Sequence, residues 1–345
     1  MKNWHLRFAL TSACNFKCKY CHSHQAAEKA IPDEEVREIL KAAFENDIRR
    51  VHWTGGEPLV RKNILNFISY AKELGYVEQS ITSNGQLLPK MAEDLVQAGI
   101  SRFNISLDTL NPELFAFVTT VDCLDEVLQG IETVLSKTDK NIKINMVVMK
   151  NNLHEIPDFI NLVDKFNTKY HTDRVIIRFL QFFPCQPNQL SEVGQAYFKQ
   201  EYVTEKEILN EISKVGEAER QTACPVAGDN PSMRYYKMIN KNVSFGLLAM
   251  FSWGYVCGDC HKLRITPQGM TSICLNDNEM FKIQGLSYED KKDLIKKMLD
   301  RRTMIGLKYP NRKHYRQNLG EVRFGKTMQG MALEEFYKIV PAHEE

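Results

Sequence analysis

The sequence predicts an α/β fold in which an open, partial (β/α)6 TIM-like barrel is followed by a smaller C-terminal region. Six extended apolar segments alternate with helical stripes of apolar residues before residue 183, a pattern typical of a parallel sheet with helical crossovers. Six strand–helix units are fewer than the eight that close a full barrel. Because the alternation stops there, we predict a barrel domain over residues 1–183 and a second domain over residues 184–345.

Each unit is predicted from its own segment. The strands are predicted, in order, at residues 6–10, 50–53, 80–85, 103–108, 142–148 and 174–180. The helices show apolar residues three and four positions apart and are predicted at residues 36–44, 64–71, 88–96, 124–134 and 156–166. Gly75 and Gly99 follow two of these helices, where a left-handed C-cap favours glycine.

The region after the barrel shows fewer regular patterns. One helical stripe surrounds Ile208 and Ile212, and residues 243–251 have the composition of a strand. A basic helix follows from Ser287, and we expect its charges to form a solvated face. These charges are Lys291, Lys292, Lys296, Lys297, Arg301 and Arg302.

The composition is that of an ordinary globular protein. Of the 345 residues, 43% are hydrophobic and 26% are charged, and the formal net charge is +2. That balance gives no reason to expect a nucleic-acid partner. The first residues lack the apolar core of a signal peptide, and the longest near-apolar run, residues 245–251, is too short to span a bilayer. We therefore expect a cytoplasmic protein that does not insert into membranes.

Three of the nine cysteines, Cys14, Cys18 and Cys21, share one loop at the C-terminal end of the first predicted strand. In a cytoplasmic chain such a group indicates metal or redox chemistry and not disulfides. Thiolates are the preferred ligands of iron–sulfur clusters, and three of them leave one iron of a cubane open to a small molecule. A zinc site is the alternative, because His22 and His24 follow closely.

A second group is formed by Cys257, Cys260 and Cys274. It indicates a second metal centre, either an iron–sulfur cluster or a zinc ribbon. The remaining cysteines are scattered, and we expect them to be small buried hydrophobic residues. They are Cys123, Cys185 and Cys224.

The first cysteine loop, the segment Gly55-Gly56-Glu57-Pro58 and the six βα units together resemble the radical S-adenosylmethionine (SAM) superfamily. The resemblance implies that SAM chelates the open iron of a [4Fe-4S] cluster and is cleaved reductively to a 5′-deoxyadenosyl radical, which abstracts a substrate hydrogen. Glycines would let the backbone approach SAM, and Glu57 would accept from its ammonium group. The residues implied to bind SAM are Tyr20, Gly55, Gly56, Glu57, Ser83, Ser106 and Asn145.

The second cysteine group, Cys257-Gly258-Asp259-Cys260 and then Cys274, resembles the second-cluster motif of the GTP 3′,8-cyclase family (MoaA). That resemblance implies a second [4Fe-4S] cluster near the substrate and cations that bind a triphosphate. Several buried cations are costly unless an anion neutralises them, so we expect an anionic, nucleotide-like substrate, with a reductase or a flavodoxin as electron donor. The implied substrate-binding residues are Arg7, Arg50, His52, Lys143, Arg178, Lys262 and Arg264.

The chain also departs from that family. It does not end in Gly-Gly, and His52, Lys262 and Phe183 stand where the family usually has Arg, Arg and Met. We interpret it as a paralogue with cyclase architecture. One alternative is a radical SAM enzyme that tailors a peptide or other natural product, with Cys224 or Cys185 as fourth ligand of the second cluster. A non-catalytic metal-binding module is the other.

Overall fold

The computed structural model describes residues 4–21, 30–182, 192–226, 232–249, 259–274 and 279–308. Within these ranges the helices are α1 (Asp33–Glu45), α2 (Ile64–Leu74), α3 (Leu88–Ala98), α4 (Pro112–Thr119), α5 (Leu124–Lys137), α6 (Ile156–Lys169), α7 (Glu192–Glu201), α8 (Glu205–Ser213) and α9 (Tyr288–Lys308). The strands are β1 (His5–Ala9), β2 (Arg50–Thr54), β3 (Glu78–Ser83), β4 (Arg102–Ser106), β5 (Asn141–Val148), β6 (Val175–Gln181), β7 (Ala218–Gln221), β8 (Arg234–Met238), β9 (Ser244–Leu248), β10 (Lys262–Ile265), β11 (Met270–Ser272) and β12 (Phe281–Lys282).

The six predicted strands form a parallel sheet in sequence order. β1 to β6 lie side by side, each paired in parallel with the next, which confirms the predicted α/β architecture of strand–helix units. Later strands extend both edges. At one edge β9 pairs in parallel with β6, and β8 and β7 follow as antiparallel strands. At the other edge β10 pairs in parallel with β1, and β11 and β12 follow as antiparallel strands. The domain boundary at residue 183 stays a prediction.

The two faces of this sheet differ in chemistry. Along β1 and β2 buried residues alternate with partly exposed ones, as the period of two in a strand requires. Leu6 and Phe8 are fully buried in the apolar core. Arg7 and His52, at the intervening positions, are register partners across β1 and β2. The second face is therefore a polar interior, whose residues come from every strand from β10 to β6.

Local signals account for the helix ends. Gly75 adopts the predicted left-handed C-cap after α2, with φ of 98°. The helix α4 was not predicted; Asn111 caps it by accepting a hydrogen bond from Leu114 N at 3.0 Å. Sequence patterns also gave no sign of α7, β7 or β8. Of the helices that the structure describes, none is both long enough and apolar enough to cross a membrane.

The prediction of a solvated basic face on the last helix is wrong at two positions. Lys291 is 1% exposed and Arg302 is 3% exposed. Both lie on the face of α9 that carries the buried Ile295, Met298 and Leu299, as helical spacing dictates. Charge alone could not reveal this, because each cation is buried against a partner from a distant part of the chain.

Candidate active site

The first cysteine loop is fixed to the end of β2 by backbone hydrogen bonds. Leu10 N donates to Thr54 O at 2.9 Å, Gly56 N to Thr11 O at 2.7 Å, and Glu57 N to Ala13 O at 2.9 Å. On its other side the loop is fixed to the end of α4, because Lys17 N and Lys19 N each donate to a carbonyl there at 3.0 Å. Backbone hydrogen bonds therefore fix the loop that carries the cysteines to both β2 and α4.

Gly55 and Gly56 lie against this loop so closely that no side chain fits. A Cβ atom at Gly55 would lie 2.5 Å from Thr11 O, and one at Gly56 would lie 2.3 Å from Ala13 O. Gly55 also has a φ of +150°, in the range that favours glycine. The close approach that these glycines permit is therefore to the cysteine loop, whereas the sequence suggested SAM alone.

The three thiols of the loop fit an iron–sulfur cluster. Cys14, Cys18 and Cys21 form no disulfide bond, and each is partly exposed. Burial, followed by Asp108 and the other two thiols, raises the pKa of Cys18, so the three sulfurs are within electrostatic reach of one another. Phe16 N also donates to Cys14 Sγ at 3.4 Å, the kind of contact that tunes a cluster.

A single-ion site receives no support from the part of the chain that is described. There, no three His, Cys, Asp or Glu side chains converge on one position that could hold a metal ion. The zinc alternative named His22 and His24, which lie outside the described residues.

Glu57 joins the ends of β2 and β3. Its buried carboxylate accepts hydrogen bonds from Leu59 N and Ser83 Oγ on Oε1, both at 3.0 Å, and from Asn84 N on Oε2 at 2.7 Å. Burial outweighs these bonds and raises the pKa of Glu57 to about 7. Asn84 Nδ2 in turn donates to Asn15 Oδ1 at 2.8 Å in the cysteine loop. Glu57 and Ser83, two residues implied to bind SAM, therefore also stabilise the cysteine loop through Asn84.

Tyr20 is held by a carboxylate that the sequence interpretation gave no role. Its hydroxyl donates to Asp108 Oδ2 at 2.5 Å, and Val147 N donates to Asp108 Oδ1 at 2.8 Å. Burial raises the pKa of Asp108 to about 6. A cavity of about 40 Å³ brings Cys18, Tyr20 and Ser106 together with Asp108. Three residues predicted from the cluster and SAM motifs therefore share one space, at the C-terminal ends of β1 and β4.

Asn145 and Arg178 are neighbours across β5 and β6. They are register partners, and Arg178 Nε donates to Asn145 Oδ1 at 2.7 Å. Arg178 Nη2 donates to Asn104 Oδ1 at 3.0 Å. Asn145 is also the register partner of Ser106. A residue implied to bind SAM and one implied to bind substrate thus form one polar network, which extends over β4, β5 and β6.

The predicted cations converge on the polar interior. Arg7 pairs in register with His52 on one side and with Arg264 on the other. Burial, followed by Arg7, Arg102 and other cations, holds the pKa of His52 well below its usual value. His52 bonds Ser80 Oγ at 2.7 Å and Thr82 Oγ1 at 2.8 Å through its two ring nitrogens. It is therefore a neutral ring among cations.

Glu78 neutralises the predicted Arg50 and a further arginine, Arg102. Its carboxylate lies 2.6 Å from Arg102 Nη1 and 3.5 Å from Arg50 Nε. Sequence reasoning missed Arg102, although it lies two residues before Asn104 on the inward side of β4 and strand period alone could have indicated it. Arg50, which was implied to bind substrate, also lies within ion-pair distance of Glu78.

Lys143 is fully buried in β5 and donates to Cys224 Sγ at 3.2 Å. Burial, followed by the charge of Arg178, lowers the pKa of Lys143 to about 7. Cys224 is partly exposed, so the expectation of a buried hydrophobic residue is wrong here. Cys123, at 3% exposure, is buried as expected.

Two members of the second cysteine group, Cys260 and Cys274, lie at the open end of the β10–β11 hairpin. Cys260 precedes Lys262 by two residues, and Cys274 follows Ser272, the register partner of Arg264. Burial raises the pKa of Cys260, but Lys262, Arg302 and Arg264 outweigh it and lower the pKa below its ordinary value. Cys257 and Cys185 lie outside the described residues.

Comparison with known proteins identifies relatives over most of the chain. Residues 8–163 match the family model described as the radical SAM superfamily. The GTP 3′,8-cyclase of Limosilactobacillus fermentum is 33% identical over 292 residues, which cover 83% of either chain. That of Geobacter sulfurreducens is 33% identical over 312 residues, which cover 88% of this chain and 89% of its own.

A solved structure shares the fold. SuiB of Streptococcus suis bound to its precursor peptide SuiA gives a TM-score of 0.60 at 20% identity, covering 89% of this chain and 66% of that one. Since likeness at that identity concerns the fold alone, the assignment depends on the sequence relatives. Together with the cysteine loop and the parallel sheet, those relatives show that this chain is a radical SAM enzyme that belongs to the GTP 3′,8-cyclase family.

Proposed function

We propose that the enzyme abstracts a hydrogen atom from GTP or a closely related nucleoside triphosphate that is bound in the polar interior. The observation that carries the proposal is the arrangement of cations there. Arg7 and Arg264 face each other in register on adjacent strands, where like charges repel. Within the described residues, no carboxylate lies within ion-pair distance of Arg178, Lys262 or Arg264.

A polyanionic ligand would relieve this repulsion. Burial and the arginines around it lower the pKa of Lys262 to about 8, and Arg264 Nε is buried with no hydrogen-bond partner among the described residues. A guanidinium offers a planar fork that suits phosphate oxygens. The curated relatives are named as GTP 3′,8-cyclases, which supports a triphosphate as the anion.

Membership of the superfamily implies SAM and a [4Fe-4S] cluster. We propose Cys14, Cys18 and Cys21 as the ligands of that cluster, which with SAM bound supplies a 5′-deoxyadenosyl radical. Tyr20, oriented by Asp108, and Ser106 line the adjoining cavity and are proposed to position SAM. Gly55, Gly56, Glu57, Ser83 and Asn145 complete the proposed SAM site, in which the first four also hold the loop.

A second set of residues is proposed to bind and orient the nucleoside triphosphate. Arg7, Lys262 and Arg264 on β1 and β10 would bind phosphate oxygens, and Lys143 and Arg178 would do so from β5 and β6. His52, neutral at physiological pH, would orient the Ser80 and Thr82 hydroxyls through its two ring nitrogens and would not add charge. Cys257, Cys260 and Cys274 are proposed to hold a second [4Fe-4S] cluster beside this site.

The first experiment tests the substrate. Anaerobically reconstituted enzyme is incubated with SAM, dithionite and GTP, and products are identified by mass spectrometry. We expect a GTP-derived product together with 5′-deoxyadenosine. Arg264→Gln should raise the KM for GTP roughly tenfold or more, because a charge-assisted hydrogen bond is worth about 1.5–3 kcal/mol. Arg49→Gln removes a partly exposed arginine paired with Asp47 and should leave the KM unchanged.

The absence of any GTP-dependent product would refute the proposal for GTP, and a panel of nucleoside triphosphates would then test the wider class. A product formed only from a peptide would favour the tailoring alternative. The two cysteine groups are tested separately: Cys18→Ala should abolish SAM cleavage, whereas Cys260→Ala should retain cleavage and lose product. Normal cleavage in both variants would contradict the cluster assignments.

A further inference from the structure

One lateral row of register partners crosses the sheet from β8 to β5. Tyr235 on β8 pairs with Gly246 on β9, and Gly246 pairs in turn with Arg178 on β6. Arg178 is the register partner of Asn145 on β5. Register partners direct their side chains to the same face of a sheet. Tyr235 therefore lies on the face of the polar interior, two strands away from Arg178.

The next residue of β8 lies on the opposite face, in the apolar core. The ring of Tyr236 stacks on Phe245, with centroids 5.0 Å apart and an interplanar angle of 13°. Phe245 in turn contacts Phe179, with centroids 5.9 Å apart, and both phenylalanines are buried in the core. Because successive residues of a strand alternate between faces, these contacts independently assign Tyr235 to the interior.

Gly246 allows the ring of Tyr235 to cross β9. A Cβ atom at Gly246 would lie 3.0 Å from Tyr235 Cε1, and a glycine inside a strand is typical of such a close approach. Cε1 is bonded to the ring carbon that carries the hydroxyl, so the distal half of the ring lies over Gly246. Tyr235 is 2% exposed and packs with the buried Ile176 and Met233. The ring therefore fills the space above β9, next to Arg178.

The guanidinium of Arg178 is held on its other side, toward β5 and β4. Its Nε donates to Asn145 Oδ1 at 2.7 Å, and its Nη2 donates to Asn104 Oδ1 at 3.0 Å. An arginine side chain has many rotamers and loses considerable freedom when it is fixed in one of them. An empty space above Gly246 would admit other rotamers of Arg178, in which the guanidinium leaves the two asparagines.

We propose that Tyr235 is a positioning residue for Arg178: its ring, lying over Gly246, keeps the guanidinium beside Asn145 and Asn104, ready to bind an anion. The inference depends on the role proposed for Arg178 in binding the triphosphate. A cation that is already fixed loses less freedom when its ligand binds, so preorganisation increases affinity. Since the volume of the ring is what excludes the other rotamers, phenylalanine should replace Tyr235 without loss.

The test compares Tyr235→Leu, Tyr235→Phe and Tyr236→Leu in the full chain. Leucine retains apolar contact with Ile176 and Met233 but is too short to cross β9. Tyr236→Leu is the matched control, because it removes the neighbouring ring from the opposite face of the sheet. The KM and kcat for GTP are measured with reconstituted enzyme, and the melting temperature of each metal-free chain shows whether it folds. Tyr235→Val, with a side chain that favours strands, is used should Tyr235→Leu not fold.

We expect Tyr235→Leu to raise the KM roughly two- to tenfold, the cost of fixing one flexible side chain on binding, and to leave kcat unchanged. Tyr235→Phe should match wild type. Tyr236→Leu should melt at a lower temperature, because it loses the stacking on Phe245, and should keep the wild-type KM. An unchanged KM in Tyr235→Leu, or an equal rise in Tyr236→Leu, would overturn the proposal.

A second readout requires neither nucleotide nor cluster. Phenylglyoxal modifies arginine guanidinium groups, and the rate at Arg178, which is partly exposed, is followed by mass spectrometry in the metal-free chain. We expect this rate to rise severalfold in Tyr235→Leu and to stay constant in Tyr235→Phe and Tyr236→Leu. Equal rates in all chains would refute the positioning of Arg178, whatever the substrate is. An unchanged KM for GTP in Arg178→Gln would instead overturn the role of Arg178 in the proposed function, and with it the effect of Tyr235 on binding.

Discussion

The contact between Gly56 and the cysteine loop gives the sharpest mutational prediction. In Gly56→Ala the added Cβ would lie 2.3 Å from Ala13 O and 2.7 Å from Ser12 O, where real Cβ atoms do not approach within 3.0 Å. The Ala13 carbonyl would therefore have to move by at least 0.7 Å, the difference between 3.0 and 2.3 Å. The next residue is Cys14, so a proposed cluster ligand moves with it.

The expected cost follows from this geometry. Overpacking of this kind costs about 1–3 kcal/mol. The shift also strains two backbone hydrogen bonds, Gly56 N to Thr11 O and Glu57 N to Ala13 O, each worth about 1 kcal/mol. Metal–ligand distances tolerate only about 0.2 Å, so the displacement of Cys14 should weaken cluster binding as well as the fold.

The assay is iron and sulfide content after anaerobic reconstitution, together with the melting temperature of the metal-free chain. We expect Gly56→Ala to lose most of its iron and to melt roughly 5 °C or more below wild type. Gly285→Ala is the control, because Gly285 has a φ of +80° but no atom within 4 Å of its added Cβ, so it carries backbone strain alone. If Gly56→Ala kept its cluster and melted like Gly285→Ala, the steric reasoning would be refuted.

Two further predictions concern charge. Burial raises the pKa of Glu57 from 4.5 to about 7, so the folded chain binds a proton in that window that the unfolded chain has released. As pH rises from 4.5 to 7, metal-free wild type should therefore lose about 3 kcal/mol relative to Glu57→Gln; parallel urea-unfolding profiles would contradict this. Lys17 and Lys19 are exposed on the cysteine loop, so reversing both charges to Glu should slow cluster reduction by an acidic flavodoxin severalfold and leave reduction by dithionite unchanged. The same reversal at the exposed Lys296 and Lys297 on α9 is the control, and equal slowing by both pairs would contradict a local effect.

Much of the fold could be predicted because its signals are local. A strand alternates with a period of two, so Leu6 and Phe8 mark the buried face and Arg7 the interior. The same rule applies to His52 and Arg178, and their register with neighbouring strands brings them to one side. The alternation of buried and exposed residues could not predict which residue forms an ion pair with each charged side chain. Glu78 neutralises Arg50 from an adjacent strand, and nothing within either segment specifies that contact.

Long-range contacts explain the errors elsewhere. The basic run on α9 carries no local sign that Lys291 meets two glutamates of α1 or that Arg302 meets Cys260. Cys224 likewise gives no local sign that it accepts from Lys143, 81 residues earlier. Sequence periodicity indicates which side of a helix or strand faces the interior. It does not indicate which side chain from another part of the chain makes contact there.

The two motifs of the first cluster site are an instructive exception. The cysteine loop and Gly55-Gly56 lie in successive strand–helix units, yet the resemblance to the radical SAM superfamily already linked them. The structure supplies a physical reason: the Gly56 backbone occupies the place beside Ala13 O where a side chain would otherwise lie, and Glu57 N bonds that same oxygen. The conformation of the cysteine loop therefore depends on close packing between the two motifs. The cysteine spacing indicates which atoms are proposed to bind iron, whereas the glycines determine whether the loop that carries these cysteines can adopt its conformation.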